Sequence, residues 1–128
     1  MKPIVFLFFI SSFLAGCVSP KGAMKTPSHP TGVEVSAPER RASDALIEEG
    51  IRTMDNGRYD RAADLFQEAI TIDSTNGAGY YRLAFVKVKM GEYGEARGLL
   101  EKAEHLLAGD SEWKTKLEEL RAELGESE

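Results

Sequence analysis

The sequence predicts an all-α fold: two helix–turn–helix units stacked as a solenoid, with a C-terminal helix capping the second. Three observations lead there. From Ser43 onward, Ala, Leu, Ile, Glu and Arg recur at helical spacing. The segments GRYDRAADLFQEAI (57–70) and GEYGEARGLLEKAE (91–104) repeat one another, with Gly57, Tyr59, Ala62 and Ala69 recurring as Gly91, Tyr93, Ala96 and Ala103, each 34 residues on. Residues that end helices stand between the periodic runs: Gly57, Gly91 and the cluster Asp73-Ser74-Thr75-Asn76-Gly77. A chain of 128 residues fits one such domain.

The chain opens differently. Lys2 precedes an apolar run, IVFLFFISSFL (4–14), and the small residues Ala15-Gly16 follow it. The run is too short to cross a hydrocarbon core of ~30 Å as a permanent helix. Positive residue, short apolar run and small residues form the order of a secretory signal. Cys17 comes next and is the one cysteine of the chain, so an intramolecular disulfide is excluded. Leu14-Ala15-Gly16-Cys17 resembles the lipobox of bacterial lipoproteins at all four positions. The resemblance implies diacylglyceryl transfer to the Cys17 thiol, cleavage between Gly16 and Cys17, and acylation such as palmitate on the new amine. Two or three chains would anchor the protein stably, because each buried CH₂ contributes ~0.8 kcal/mol and a single chain holds only marginally. By the same resemblance, Val18 where inner-membrane retention favours Asp implies the outer membrane, with the domain facing the periplasm.

Residues 17–42 then form the expected lipidated N-terminus and linker. Pro20, Pro27, Pro30 and Pro38 with Gly22 and Gly32 leave no helical or strand period between residues 18 and 42. As a random coil this stretch would span about 28 Å. It carries four basic and two acidic side chains, whereas residues 43–128 carry 19 acidic against 11 basic, a balance of −8. Such an acidic domain is unsuited to neutralising phosphates and argues against nucleic-acid binding.

Five helices are expected within a domain at 43–124: about 43–55, 59–72, 77–90, 93–107 and 111–124, with residues 125–128 as a tail. In the second, Tyr59, Ala62, Phe66 and Ala69/Ile70 lie on one face. In the third, Leu83, Val86 and Met90 form one apolar stripe and Tyr81, Phe85 and Val88 another. In the fifth, Trp113, Leu117, Leu120 and Leu124 share a face opposite Lys, Glu and Arg, and Asp110 or Ser111 is placed to cap it. A polar outer face is what a terminal element of a repeat array requires.

The 34-residue period and the pattern Ala62-x₃-Phe66, matched by Ala96-x₃-Leu100, resemble the tetratricopeptide repeat. Gly50 and Ala84 stand at that family's small position, where two helices approach closely. Leu46 and Tyr80 replace its frequent Trp, Glu49 departs from its following Leu, and Ser74 and Ala108 stand near its closing Pro. The resemblance spans roughly residues 43–108. It implies a protein or peptide partner bound in the concave groove lined by the first helix of each unit. Carried onto this chain, that groove comprises Ile47, Ile51, Met54 and Asp55 from the first unit. From the second it comprises Tyr81, Arg82, Phe85, Val88 and Lys89. The Tyr81/Phe85/Val88 stripe has a second destination, cover by Trp113, Leu117 and Leu120 of the last helix.

No catalytic constellation is legible. Arg82 occupies the third glycine's place after Gly77-Ala78-Gly79, His105 has no neighbouring His or Cys, and no Ser stands in a nucleophile elbow. The expectation is a non-enzyme with no metal and no cofactor beyond the covalent lipid on Cys17. Its role would be that of an envelope-anchored adaptor or assembly factor. A self-associating structural lipoprotein, homodimeric through the groove or a repeat end, and a non-catalytic accessory subunit of an envelope enzyme are the alternatives.

Overall fold

The computed structural model describes residues 34–125, and the lipobox, Cys17 and most of the linker lie outside them. Five α-helices and no strands occur among the described residues: α1 (Ala37–Asp55), α2 (Tyr59–Ile72), α3 (Gly77–Lys89), α4 (Tyr93–Leu106) and α5 (Ser111–Gly125). α1 pairs with α2 and α3 with α4, α3 packs back onto both α1 and α2, and α5 closes on α3 and α4. The result is a stack of two helix pairs and a single last helix, the all-α repeat solenoid expected from the sequence.

The two hairpin turns follow from their glycines. At the end of α1 the Gly57 amide donates to Met54 O (2.8 Å) and the Arg58 amide to Thr53 O (3.2 Å). At the end of α3 the Gly91 amide donates to Val88 O (3.0 Å) and the Glu92 amide to Lys87 O (2.9 Å). Both glycines have left-handed φ, +73° and +77°, where a Cβ would collide with the following carbonyl. The second turn is further locked by the Lys87 ammonium, which bridges Glu92 (2.6 Å) and Glu95 (3.0 Å). These bonds from its amine hold Lys87 in its charged form above the usual lysine range, chiefly through Glu92.

Between the units, Asp73 accepts from the Thr75 amide (2.9 Å) and hydroxyl (2.6 Å), the local turn chemistry its sequence foretells. Asn76 caps α3 through the Gly79 amide and reaches back to Ser43 Oγ (3.0 Å) and Asp44 Oδ1 (3.0 Å) on α1. Asp110 accepts from the Glu112 amide (2.9 Å) and so serves as the α5 cap.

Two core clusters share α3. Leu83 and Val86 of α3 pack with Ile47, Ala62, Phe66, Ala69 and Ile70. From the other side of α3, Tyr81, Ala84 and Val88 pack with Ala96, Leu100, Ala103 and the three leucines of α5. The α2 face holds as expected from Ala62 to Ile70, but Tyr59 at its start is 37% exposed.

One boundary differs by more than a single residue. α1 begins six residues before the expected start, so 37–42 is helix rather than linker. The cause is a capping box: Ser36 Oγ accepts from the Glu39 amide (3.4 Å) while the Glu39 carboxylate accepts from the Ser36 amide (2.9 Å). Pro38 falls in the first turn, where its missing N–H costs nothing. Arg40, on this added turn, lies 3.8 Å from the Asp73 carboxylate. The same bonds hold the Glu39 carboxyl below its ordinary value. Its capping contribution is therefore complete above the ordinary glutamate pKa and is lost as pH falls through the lowered one. Ser36→Ala is expected to destabilise by about 1 kcal/mol. Amide exchange at Glu39 and Arg40 should accelerate while exchange in α3 changes little.

Candidate functional site

The first helices of successive layers, α1, α3 and α5, line a concave groove of about 360 Å³. α1 contributes Asp44, Ile47, Glu48 and Ile51, one stripe at spacings of three and four. α3 contributes Ala78 and Arg82, one turn apart, and α5 contributes Trp113. Gly79 lets α3 approach α2 closely: a Cβ there would stand 2.7 Å from Ile70, whereas Ile47 of α1, at 3.5 Å, would be in ordinary contact.

The nine residues expected at this surface divide. Ile47, Ile51 and Arg82 do line the groove. Met54 is half-buried against the first core cluster and Asp55 is exposed, both beyond the groove. Tyr81 and Val88 are withdrawn from the surface, at 7% and 5% exposure, beneath Leu117, Leu120 and Leu124. Of the two destinations of the α3 stripe, cover by the last helix is therefore the one these two residues take. Burial also pushes the Tyr81 hydroxyl above its ordinary pKa. Phe85 is half-buried on the same cluster, its ring under the Lys89 ammonium at 4.9 Å. Lys89 is tied to Glu123 of α5 at 2.9 Å.

Asp44, Glu48, Ala78 and Trp113 were not anticipated. The α1 stripe 44/47/48/51 was legible as a helical face, but nothing local distinguishes a groove-facing Asp from a solvated one. Trp113 required knowledge of how α5 docks. Its ring meets Tyr81 edge-on at 5.2 Å and carries the Lys116 ammonium at 4.5 Å.

The groove has polar walls and an apolar floor. The Arg82 guanidinium sits half-buried, 5.9 Å from the centre of the Tyr81 ring. Among the described residues, no carboxylate lies within salt-bridge distance of it.

A second cleft, about 460 Å³, follows the α4–α5 seam where the partner helix of α5 would sit in a third complete unit. Its α5 wall is Lys114, Leu117, Glu118 and Arg121, and Arg121 pairs across it with Glu104. Glu118 stands 34 residues beyond Ala84 and 68 beyond Gly50. Glu118 thus places a long charged side chain where α1 and α3 carry glycine and alanine.

Stacked helix pairs around a concave, charge-walled groove define a helical-repeat interaction module. The model of the tetratricopeptide repeat family matches residues 53–120, more than half of the chain, and the chain belongs to that family. A comparison with curated proteins returned no match. Repeats of this family generally bind protein or peptide partners and are typically non-catalytic. Among the described residues, no group of three or more His, Cys, Asp and Glu side chains is placed to hold a metal ion, and no helix is long and apolar enough to cross a membrane.

Proposed function

We propose that this chain is a lipid-anchored adaptor or assembly factor of the bacterial cell envelope that holds a partner protein in the α1/α3/α5 groove. The observation that carries the binding part is the groove itself: Ile51 and Trp113 offer apolar contact beside a guanidinium that, among the described residues, has no carboxylate partner. Aromatic and arginine side chains together are the usual anchors of an interface. The anchoring part rests on the sequence order of Lys2, the apolar run and Leu14-Ala15-Gly16-Cys17. In this reading Cys17 bears the lipid, the segment up to Ser36 spaces the domain from the outer membrane, and the domain works on the periplasmic side.

Two measurements on the full chain in cells test the two parts. Cys17→Ser is expected to abolish incorporation of labelled palmitate and to move the protein from the membrane to the soluble fraction. Continued acylation and membrane retention would overturn the anchor. A photo-crosslinker at Ile51, read by mass spectrometry, is expected to capture a different envelope protein. Adducts with a second copy alone would replace the adaptor by a self-associating structural lipoprotein.

A further inference from the structure

Two clefts meet at the edge of the stack where the chain enters α1. One, about 570 Å³, lies between Arg40 and Asp44 of α1, Asp73 of the turn before α3, and Leu107 and Asp110 of the α4–α5 turn. The other is the α4–α5 cleft described above, and Leu107 and Asp110 line both. Two of the cations on these walls are engaged, Arg40 with Asp73 and Arg121 with Glu104. Among the described residues, the wall carboxylates Asp44, Asp110 and Glu118 have no ion-pair partner, against Lys114 as the one unpaired cation on the same walls. An excess of unpaired carboxylates lining a cleft attracts a basic segment.

The chain itself supplies such a segment. Residues 17–33 carry Lys21, Lys25 and His29 and no acidic side chain. They join the domain at the rim of the first cleft, because Arg40 on its wall stands one turn after the Ser36 cap. Val35 is half-buried between exposed Glu34 and Ser36, so the chain reaching the cap has already turned one apolar side chain away from solvent. The reach is sufficient. Eleven residues separate Lys25 from Ser36, and an extended segment of that length spans about 34 Å. α5 lies two helix spacings from α1, across α3, which is about 16–20 Å. The spacing also agrees. Asp110 and Glu118 are about 12 Å apart along α5, and Lys25 and His29 are separated by about 12 Å when extended. We propose that residues 24–33 fold back across both clefts, with the Lys25 ammonium on Glu118 and the His29 ring on Asp110. A segment joined this closely acts at an effective concentration on the order of millimolar, so contacts too weak to hold a free peptide suffice. With Cys17 lipidated as proposed above, docking shortens the span between membrane and domain to residues 17–23, and release lengthens it. The docking itself needs neither the lipid nor the α1/α3/α5 groove.

The test is a photo-crosslinking residue in place of Ala108, an exposed wall residue of the α4–α5 cleft, in the full chain. The expected product has the mass of a single chain, with position 108 joined to residues 24–33 by mass spectrometry. Lys25→Glu and Glu118→Lys should each lower the yield of that product about threefold, the effect of losing one exposed ion pair. The double variant, which reverses the pair, should restore the yield, with helical content by circular dichroism the same in all four chains. A yield that neither substitution moves, or that the double variant fails to restore, would overturn the assignment of Lys25 to Glu118. Adducts only with a second copy or with another protein, or no adduct at all, would overturn the docking. None of these results bears on the groove or the anchor, which the Ile51 crosslinking and Cys17→Ser decide separately.

Discussion

Gly50→Ala is expected to destabilise the domain by about 1–3 kcal/mol, although alanine is the better helix former. A Cβ at Gly50 would stand 2.4 Å from Cε1 of Phe66 and 2.8 Å from its Cδ1. Phe66 is fully buried and has no room to turn aside. The second unit shows how the conflict is resolved in the same architecture. Thirty-four residues on, the small position is Ala84 and the large one is Leu100, both buried in the second cluster. Glycine is matched with phenylalanine and alanine with leucine, so the sum of volumes is shared out differently at each interface. The double variant Gly50→Ala/Phe66→Leu, which copies the second unit into the first, should therefore recover most of the loss. Urea unfolding of Gly50→Ala, Phe66→Leu and the double variant measures this as a coupling energy. Strict additivity of the two single effects would show that the two positions do not share one packing constraint.

Removing α5 by ending the chain at Gly109 is expected to abolish cooperative folding. Leu117, Leu120 and Leu124 are 8%, 2% and 3% exposed, and they cover Tyr81 and Val88. Burying side chains of this size contributes about 1.5–3 kcal/mol each, against a net stability of about 5–15 kcal/mol for a whole domain. Truncation also exposes the α3 stripe as a contiguous apolar patch, so the shortened chain should self-associate and bind a hydrophobic dye. Sedimentation and thermal melting would check both effects. A monomer with an unchanged melting temperature would mean that α5 is an appendage rather than part of the core.

The parts legible from sequence were those governed by local rules. Gly57 and Gly91 mark left-handed caps because no other residue takes that backbone cheaply, and the α2 limits, Tyr59 and Ile72, agree with expectation. The start of α1 was equally local, since Ser36-Ala37-Pro38-Glu39 is a capping box with Pro in the first turn. Pro38 was read there as one more linker proline, when at that position it favours a helix. The groove was harder. Tyr81, Arg82 and Phe85 all sit on α3 within two turns, and their sequence neighbourhood is the same.

By itself, then, the sequence determined the repeat period, the five helices, the turns between them and the family, because each depends on residues within one turn or one period of each other. Only the tertiary structure decided which side of α3 is surface. α5 rotates its three leucines onto Tyr81 and Val88, while Trp113 at its first turn leaves Arg82 open beside Glu48. A helix packed from two sides is apolar on both. Which stripe is covered depends on the docking of an element some 30 residues away, and no local pattern encodes that angle.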